Sequence, residues 1–265
     1  MNDSPLHRHY LHFSELPSSV RVLYTAALLM LGLGYVFALI YIYHTYSGRD
    51  GEPGLSYQDI VVAFSGSGKA SKLESALKGP MASMLPADEL SAMVKWTQEG
   101  ADRERYERDV KKTIEQRCLT CHDGGNPHLS NLGTFDGVKK ATEMDTGTEI
   151  FTLVRVSHIH MFGISFLFFL VGLIFSHAYM RPIWLKSTIV ALPFLAVGLD
   201  VCSWYFTKIY HPFAMVTMLA GAMMGTSFAA MWCISMYQLW FSKVPAAIKA
   251  RREIELPVEE GEPTR

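Results

Sequence analysis

The chain has 265 residues, of which 49% are apolar and 18% are charged, with a formal net charge of -1. Apart from a single Asp200, four stretches contain no Lys, Arg, Asp or Glu: Val22–Tyr43, Val156–Tyr179, Ser187–Thr207 and Pro212–Ser242. Each is long enough to cross a hydrocarbon core of roughly 30 Å as a helix. These runs exclude a soluble globular enzyme. The lack of a basic excess excludes a nucleic-acid-binding protein, which must neutralise phosphates.

The first apolar run predicts a retained transmembrane helix over residues 22–45. It is longer than the apolar core of a signal peptide, and no small-residue cleavage site follows it. A polar segment spans residues 46–150, and residues 151–242 contain the other three runs, joined by short loops that favour antiparallel neighbours. We therefore expect an all-α membrane protein: a four-helix transmembrane bundle with a small α-helical domain inserted between helices 1 and 2.

The distribution of basic residues predicts the orientation of this bundle. One set of helix flanks carries Arg8, Arg21, Arg181, Lys186, Lys243, Lys249, Arg251 and Arg252, whereas the opposite set carries Arg49, Arg155 and Lys208. By the positive-inside rule the first set faces the cytoplasm. We expect a cytoplasmic N-terminal segment over residues 1–21, a cytoplasmic tail over residues 243–265, and a polar segment on the periplasmic side of a bacterial inner membrane.

Local patterns divide the polar segment into helices and loops. Apolar residues at helical spacing predict helices over Asp88–Gly100 and Arg103–Arg117. Clusters of Gly with Ser or Asn predict loops over Gly48–Gly68 and Gly124–Gly137.

The residues with the clearest chemistry lie in the polar segment. Cys118-Leu119-Thr120-Cys121-His122 is a C-x-x-C-H motif, the pattern that attaches c-type haem. A thioredoxin-like redox pair is the first alternative, but no β-α-β pattern surrounds the motif. Half of a zinc site is the second, but Cys202 and Cys233 lie within apolar runs.

Around this motif the sequence resembles membrane-anchored c-type cytochromes. The resemblance includes Gly79-Pro80-Met81 and Leu85-Pro86-Ala87-Asp88-Glu89, followed by a helix and then by the motif. It implies a cytochrome c-like domain over residues 46–150. It further implies that Cys118 and Cys121 hold one covalent haem, with His122 as the proximal iron ligand.

The second axial ligand of such a haem is a Met in many c-type cytochromes. Met144 fits by position, because it follows the motif and precedes the next membrane span. His128 is an alternative. Use of an upstream methionine would require a rearranged domain; the upstream candidates are Met81, Met84 and Met93.

Ionisable residues inside membrane helices are rare and mark candidate functional sites. Four histidines lie at the outer ends of the spans: His44, His158, His160 and His211. Two of them on facing helices at equal depth would hold one haem b or form a quinol site. The same imidazoles could instead bind copper or zinc, or simply hydrogen-bond at the interface. Asp200 is the candidate proton acceptor in quinol oxidation, or a carboxyl that bonds across helices.

These observations predict a membrane electron-transfer protein, a carrier or a subunit of a quinol:cytochrome c-type oxidoreductase. Electrons would pass through a periplasmic haem c, from quinol by way of a haem b or quinol site at the outer leaflet. The expected partners are membrane lipid and either other respiratory-complex subunits or a soluble periplasmic cytochrome. The alternative is an accessory, assembly or redox-sensing subunit without quinol chemistry of its own.

Overall fold

The computed structural model describes residues 11–79, 81–126, 129–246 and 249. The helices are α1 (Ser18–Tyr46), α2 (Tyr57–Ser65), α3 (Lys72–Lys78), α4 (Ala87–Gln98), α5 (residues 103–122), α6 (Phe135–Ala141), α7 (Ile150–Phe175), α8 (Ile183–Thr207) and α9 (Phe213–Phe241). Within these described ranges the only β-pairing is one antiparallel bridge between Ser71 and Met144. The predicted all-α fold class is confirmed.

Four helices in the described chain, α1, α7, α8 and α9, are long and apolar enough to cross a membrane. Their number and order agree with the prediction from the charge-free runs, but their ends do not coincide with those runs. Helix α7 begins at Ile150, includes Arg155 and ends at Phe175, whereas the run covers Val156–Tyr179. A charge-free run marks the residues that can lie in hydrocarbon, whereas backbone hydrogen bonding sets the ends of the helix. An Arg near a helix end can lie inside the helix, because its guanidinium can extend towards water.

Residue contacts divide the chain into two compact units. Of the described residues, the first contains 11–36, His160–Gly198, 220–246 and 249. Buried side chains from all four long helices form its core, among them Leu28, Phe168, Val197 and Met231.

Two close contacts join α1 to α9 within the first unit. The indole Nε1–H of Trp232 donates to the Leu28 carbonyl over 2.7 Å. Gly32 makes room for that indole, because a Cβ there would lie 2.8 Å from Trp232 Nε1. Tyr35 stacks on Phe228 with 4.3 Å between the ring centroids. Close packing of this kind is the main attraction between helices in lipid, where the hydrophobic effect between them is absent.

The second unit contains Phe37–Ile159 and Leu199–Leu219. It includes the polar segment together with the adjoining ends of the long helices. One of its cores lies between α2 and the helix ends and includes Phe64, Leu153 and Trp204. The other lies within the polar segment and is built from α3, α4, α5 and α6, with Met93 and Trp96 at its centre.

The polar segment is more helical than the sequence indicated. The loop predicted over Gly48–Gly68 is wrong over Tyr57–Ser65, which forms α2. Ser56 caps this helix by accepting from the Asp59 backbone N–H, and the Asp59 carboxylate accepts from the Ser56 N–H in return. This capping box satisfies two backbone donors. The helices predicted over Asp88–Gly100 and Arg103–Arg117 are confirmed by α4 and α5, while α6 begins inside the predicted loop Gly124–Gly137.

One lysine ties the end of α8 to the polar segment. The ammonium of Lys208 donates to the carbonyl oxygens of Phe64, Thr146 and Thr148 over 2.7, 2.9 and 2.8 Å. Ser65 Oγ–H donates to the Thr207 carbonyl over 2.7 Å beside it. Burial of Lys208 lowers the pKa of its amine, with Asp145 acting in the opposite direction. We refer to these interactions as the Lys208 clamp.

Candidate functional site

Helix α5 presents the C-x-x-C-H motif at its C-terminal end. Asp102 caps the helix by accepting from the Arg105 N–H over 2.9 Å. Two π-helical turns, Tyr106–Val110 and Ile114–Cys118, interrupt the α-helical hydrogen bonding. A π turn is wider than an α turn and is often found at functional sites. It keeps side chains spaced by four residues on one face, so Cys118 continues the buried row of Tyr106, Val110 and Ile114.

The two cysteines and the histidine of the motif lie within about one helical turn. Leu119–His122 is helical, so Cys121 and His122 follow Cys118 by three and four residues and share its face. Both thiols are free, with Cys118 half-buried and Cys121 exposed. Burial raises the pKa of the Cys118 thiol, and the nearby Glu89 carboxylate raises it further.

The imidazole of His122 is held by one specific hydrogen bond. Its Nδ1 lies 2.8 Å from the carbonyl oxygen of Ser130. A carbonyl oxygen can only accept, so Nδ1 carries a proton and Nε2 is the nitrogen left to bind a metal. Metal-ligating histidines usually have their second nitrogen fixed in this way. Ser130 was not identified from the sequence, because the contact uses its backbone carbonyl and leaves no residue-type signal.

The loop after the motif returns to the end of α5. The Leu132 N–H donates to the His122 carbonyl over 2.9 Å, which fixes the position of Ser130 two residues earlier. Gly124 allows the return with φ +95°, and a Cβ at this glycine would lie 2.5 Å from Asn131 Nδ2. Gly124 therefore has both a conformational and a steric reason to be glycine.

The beginning of α4 lies next to the motif. The Arg117 guanidinium donates through Nε and Nη2 to the two carboxylate oxygens of Glu89, each over 3.2 Å. Leu85 packs against the same core as Cys118. Met84 precedes Leu85 on a 3-10 turn, and its side chain is 65% exposed. Met84 therefore lies on the segment that leads into α4, whose beginning contacts Arg117 of α5.

Met144, the ligand expected from its position in the sequence, lies on a different segment. It pairs with Ser71, while the Lys72 N–H donates to the Glu143 carbonyl over 2.9 Å. The side chain of Met144 is 62% exposed. The other methionines are placed differently: Met93 is buried in the core at 1% exposure, and Met81 is half-buried. His128 lies outside the described residues.

The predicted histidines at the outer helix ends lie in different surroundings. His44, His158 and His211 are exposed, and His160 is half-buried. His44 contacts Tyr43 edge-to-face at 5.8 Å between ring centroids. Over the described ranges, no three His, Cys, Asp or Glu side chains converge on a point that could hold a metal ion. The pairing of these histidines around a haem b stays a prediction.

Asp200 lies next to the core beneath α2. It is buried at 8% exposure, and its Oδ1 accepts from the Trp204 indole N–H over 3.2 Å. Trp204 in turn stacks on Phe64 of α2, with ring centroids 5.8 Å apart and planes at 11°. The carboxyl in the span is thus joined through one aromatic side chain to the polar segment.

The fold and these contacts define the class of the chain: an all-α, multi-pass membrane protein with an extramembrane helical segment. Residues 125–246 match the Aq_1264_TM family, described as a transmembrane helical domain. The match includes α7, α8 and α9 and begins after the C-x-x-C-H motif. No curated protein matches the chain significantly. No solved structure does so either.

Proposed function

We propose that the protein is an electron-transfer protein of a bacterial inner membrane, with a c-type haem attached on the periplasmic side through Cys118 and Cys121. The observation that carries the proposal is the bond between His122 Nδ1 and the Ser130 carbonyl. It fixes the tautomer that leaves Nε2 free as an iron ligand. Two free thiols on the same helical face complete the set of residues that such an attachment needs.

Each residue of the site then has a defined part. Cys118 and Cys121 would hold the haem through two thioether bonds, each formed by addition of a thiol S–H across a vinyl double bond, and His122 would bind the iron through Nε2. The bound haem supplies one-electron transfer at a potential that its axial ligands tune. The Arg117–Glu89 ion pair positions the beginning of α4 beside the motif.

We propose that Met84, rather than Met144, would be the second residue to hold the haem iron. Support comes from the position of the turn Ala82–Met84, which immediately precedes the segment held against α5 by Glu89 and Leu85. In this arrangement the second ligand precedes the C-x-x-C-H motif in the chain. This is the rearranged domain that an upstream ligand requires.

The membrane part would supply electrons from quinol. The Lys208 clamp and the stacking of Trp204 on Phe64 fix the polar segment on the helix ends of its own unit. Asp200 lies beneath this contact and is the carboxyl we assign to proton acceptance when a quinol is oxidised. Two histidines would form the quinol or haem b site: His158 or His160, paired with His44 or His211. The acceptor would be a soluble periplasmic cytochrome or a neighbouring subunit of a respiratory complex.

The attachment is tested by intact-protein mass spectrometry and a pyridine haemochrome spectrum after expression with a cytochrome c maturation system. We expect the mass of one added haem and a c-type spectrum, both lost in Cys121→Ser. Cys202→Ser is the matched control, because Cys202 is equally exposed but lies outside the motif. An unmodified wild-type polypeptide would overturn the proposal.

Quinol chemistry is tested separately on the haem-loaded protein. A quinol analogue should reduce the wild-type protein, and Asp200→Asn should slow that reduction by about tenfold or more, as expected for loss of a general base. A c-type spectrum without any response to quinol would favour the accessory or redox-sensing alternative. A b-type signal that persists in both His158→Ala and His160→Ala would exclude those two residues as haem b ligands.

A further inference from the structure

A basic cavity lies in the polar segment just beyond the end of α1. Its volume is about 350 Å³, and it is lined by residues that include Arg49, Asp50, Lys69, Ser75 and Lys78. This volume is within the usual range for small-molecule sites. Three cationic side chains and one carboxylate are among its lining residues. The polar segment as a whole is instead acidic, with 13 Lys and Arg against 17 Asp and Glu over residues 46–150.

Local carboxylates leave part of this positive charge uncompensated. Lys78 pairs with Glu74 over 2.7 Å. Asp50 accepts from Ser56 Oγ–H over 2.6 Å and from the Glu52 N–H over 2.9 Å, and these bonds lower the pKa of its carboxyl. Across the part of the chain that the structure describes, neither Arg49 nor Lys69 has a carboxylate within ion-pairing distance.

Among the described residues, Arg49 is held in place by contacts other than an ion pair. Its Nε–H donates to the Thr45 carbonyl over 3.1 Å, and its guanidinium lies 5.4 Å from the centre of the Tyr46 ring. Burial lowers the pKa of the guanidinium, while Tyr46, Asp145 and Asp59 act in the opposite direction. In the described part of the chain these two carboxylates lie beyond ion-pairing distance of Arg49, so an anion in the cavity could pair with the guanidinium directly.

A hydroxyl group gives independent support for a ligand. Ser75 lines the cavity, and its buried Oγ has no hydrogen-bond partner among the described residues. Buried polar atoms are nearly always satisfied, and an exception calls for an explanation. An anion in the cavity would accept from Ser75 Oγ–H and from the Arg49 guanidinium together.

We propose that this cavity binds a phosphate group, presented by the headgroup of an anionic phospholipid. A guanidinium, an ammonium and a hydroxyl converging on one space match the several oxygens of a phosphate. Arg49 lies only three residues beyond the end of the membrane helix α1, at the level of the outer headgroups. A free phosphate compound has the same chemistry and differs only in its source.

The test uses the full chain in nanodiscs of phosphatidylcholine with or without phosphatidylglycerol, with the thermal midpoint as the readout. Phosphatidylglycerol should raise the midpoint of the wild-type protein, because binding to the native state stabilises it. Lys69→Gln and Ser75→Ala should each weaken the binding by about tenfold. Both should fold, because Lys69 is exposed and Ser75 Oγ makes no bond to lose. The matched control is Lys95→Gln, an exposed lysine on α4 outside the cavity lining, which should respond like the wild type.

The source of the phosphate is resolved by titrating inorganic phosphate into the detergent-solubilised chain, against chloride at equal ionic strength. One outcome is that millimolar phosphate raises the thermal midpoint of the wild type while Lys69→Gln and Ser75→Ala abolish that rise. This result would support binding in the cavity and identify free phosphate as the ligand. A response to phosphatidylglycerol alone identifies the lipid. Equal responses of the wild type, Lys69→Gln and Ser75→Ala to both additions would overturn the proposal.

Discussion

His122 Nδ1 lies 2.8 Å from the carbonyl oxygen of Ser130, eight residues further along the chain. This contact selects one tautomer of the imidazole and fixes the plane of its ring. It depends on the loop after the motif. Gly124 and the backbone hydrogen bond from the Leu132 N–H to the His122 carbonyl bring this loop back to the end of α5. The geometry at His122 is thus set by backbone conformation in a loop.

The first prediction concerns the second axial ligand. Replacing Met84 by Ala in the haem-loaded protein should abolish the long-wavelength absorption of methionine-ligated ferric haem and lower the reduction potential, because a thioether ligand raises that potential. Met144→Ala should leave both unchanged, since Met144 is equally exposed but lies on the segment paired with Ser71. Loss of the methionine signal in Met144→Ala, with Met84→Ala unaffected, would restore the ligand expected from chain position.

The second prediction concerns the loop behind His122. Gly124→Ala should destabilise the extramembrane segment by roughly 2 kcal/mol or more, because it combines a left-handed backbone with a clash against Asn131. Gly51→Ala is the matched control: its φ is +96° but nothing lies within 4 Å, so it should cost about 1 kcal/mol from the backbone alone. Chemical denaturation of both variants measures the difference. Equal losses would show that the contact with Asn131 does not constrain the loop.

Particular residues show how far the sequence predicts this structure. Charge-free runs identified the four long helices, because hydrocarbon restricts composition over the whole length of a span. Helix α2 was missed because the glycines and serines around it obscured a five-residue apolar run, Ile60–Phe64, preceded by the capping residue Ser56. That capping signal was present in the sequence and could have been used.

The candidate site was predictable to a different degree. Cys118, Cys121 and His122 follow from a local motif. The proximity of Glu89 to Arg117 depends on tertiary packing. The hydrogen bond from His122 to Ser130 depends on a backbone carbonyl. Residue spacing carries neither kind of information, and the assignment of Met144 as second ligand stays a prediction.

The third prediction concerns the Lys208 clamp. Lys208→Met keeps the length of the side chain but removes three hydrogen bonds to carbonyl oxygens. We expect a loss of about 2–4 kcal/mol, because bonds from a charged donor are stronger than neutral ones and the carbonyls lose their partner. Hydrogen exchange should accelerate at Thr148, whose N–H donates to Ala63. Lys95→Met, at an exposed position on α4, should change neither measurement; unchanged exchange in Lys208→Met would show that other contacts hold this segment.

The last prediction concerns His12, which precedes α1 and is fully buried. Its Nδ1 accepts from the Ser14 backbone N–H over 3.2 Å, so it caps the short turn Phe13–Glu15. Burial lowers its pKa, with Gln238 and Glu15 acting in the opposite direction. The unfolded chain protonates the His12 imidazole below about pH 6.5, and folding disfavours this protonation. Stability should be greatest above that pH and should fall as the pH drops through it, levelling off below the folded-state pKa.

His12→Asn tests this dependence, because an Asn side-chain oxygen can replace Nδ1 as the capping acceptor while removing the titration. Thermal midpoints measured between pH 7 and pH 5 should decline more steeply for the wild type than for His12→Asn. The additional loss in the wild type should stop growing below the folded-state pKa, where the imidazole is protonated in both the folded and the unfolded state. Parallel profiles for the two proteins would mean that the acid dependence arises from other groups.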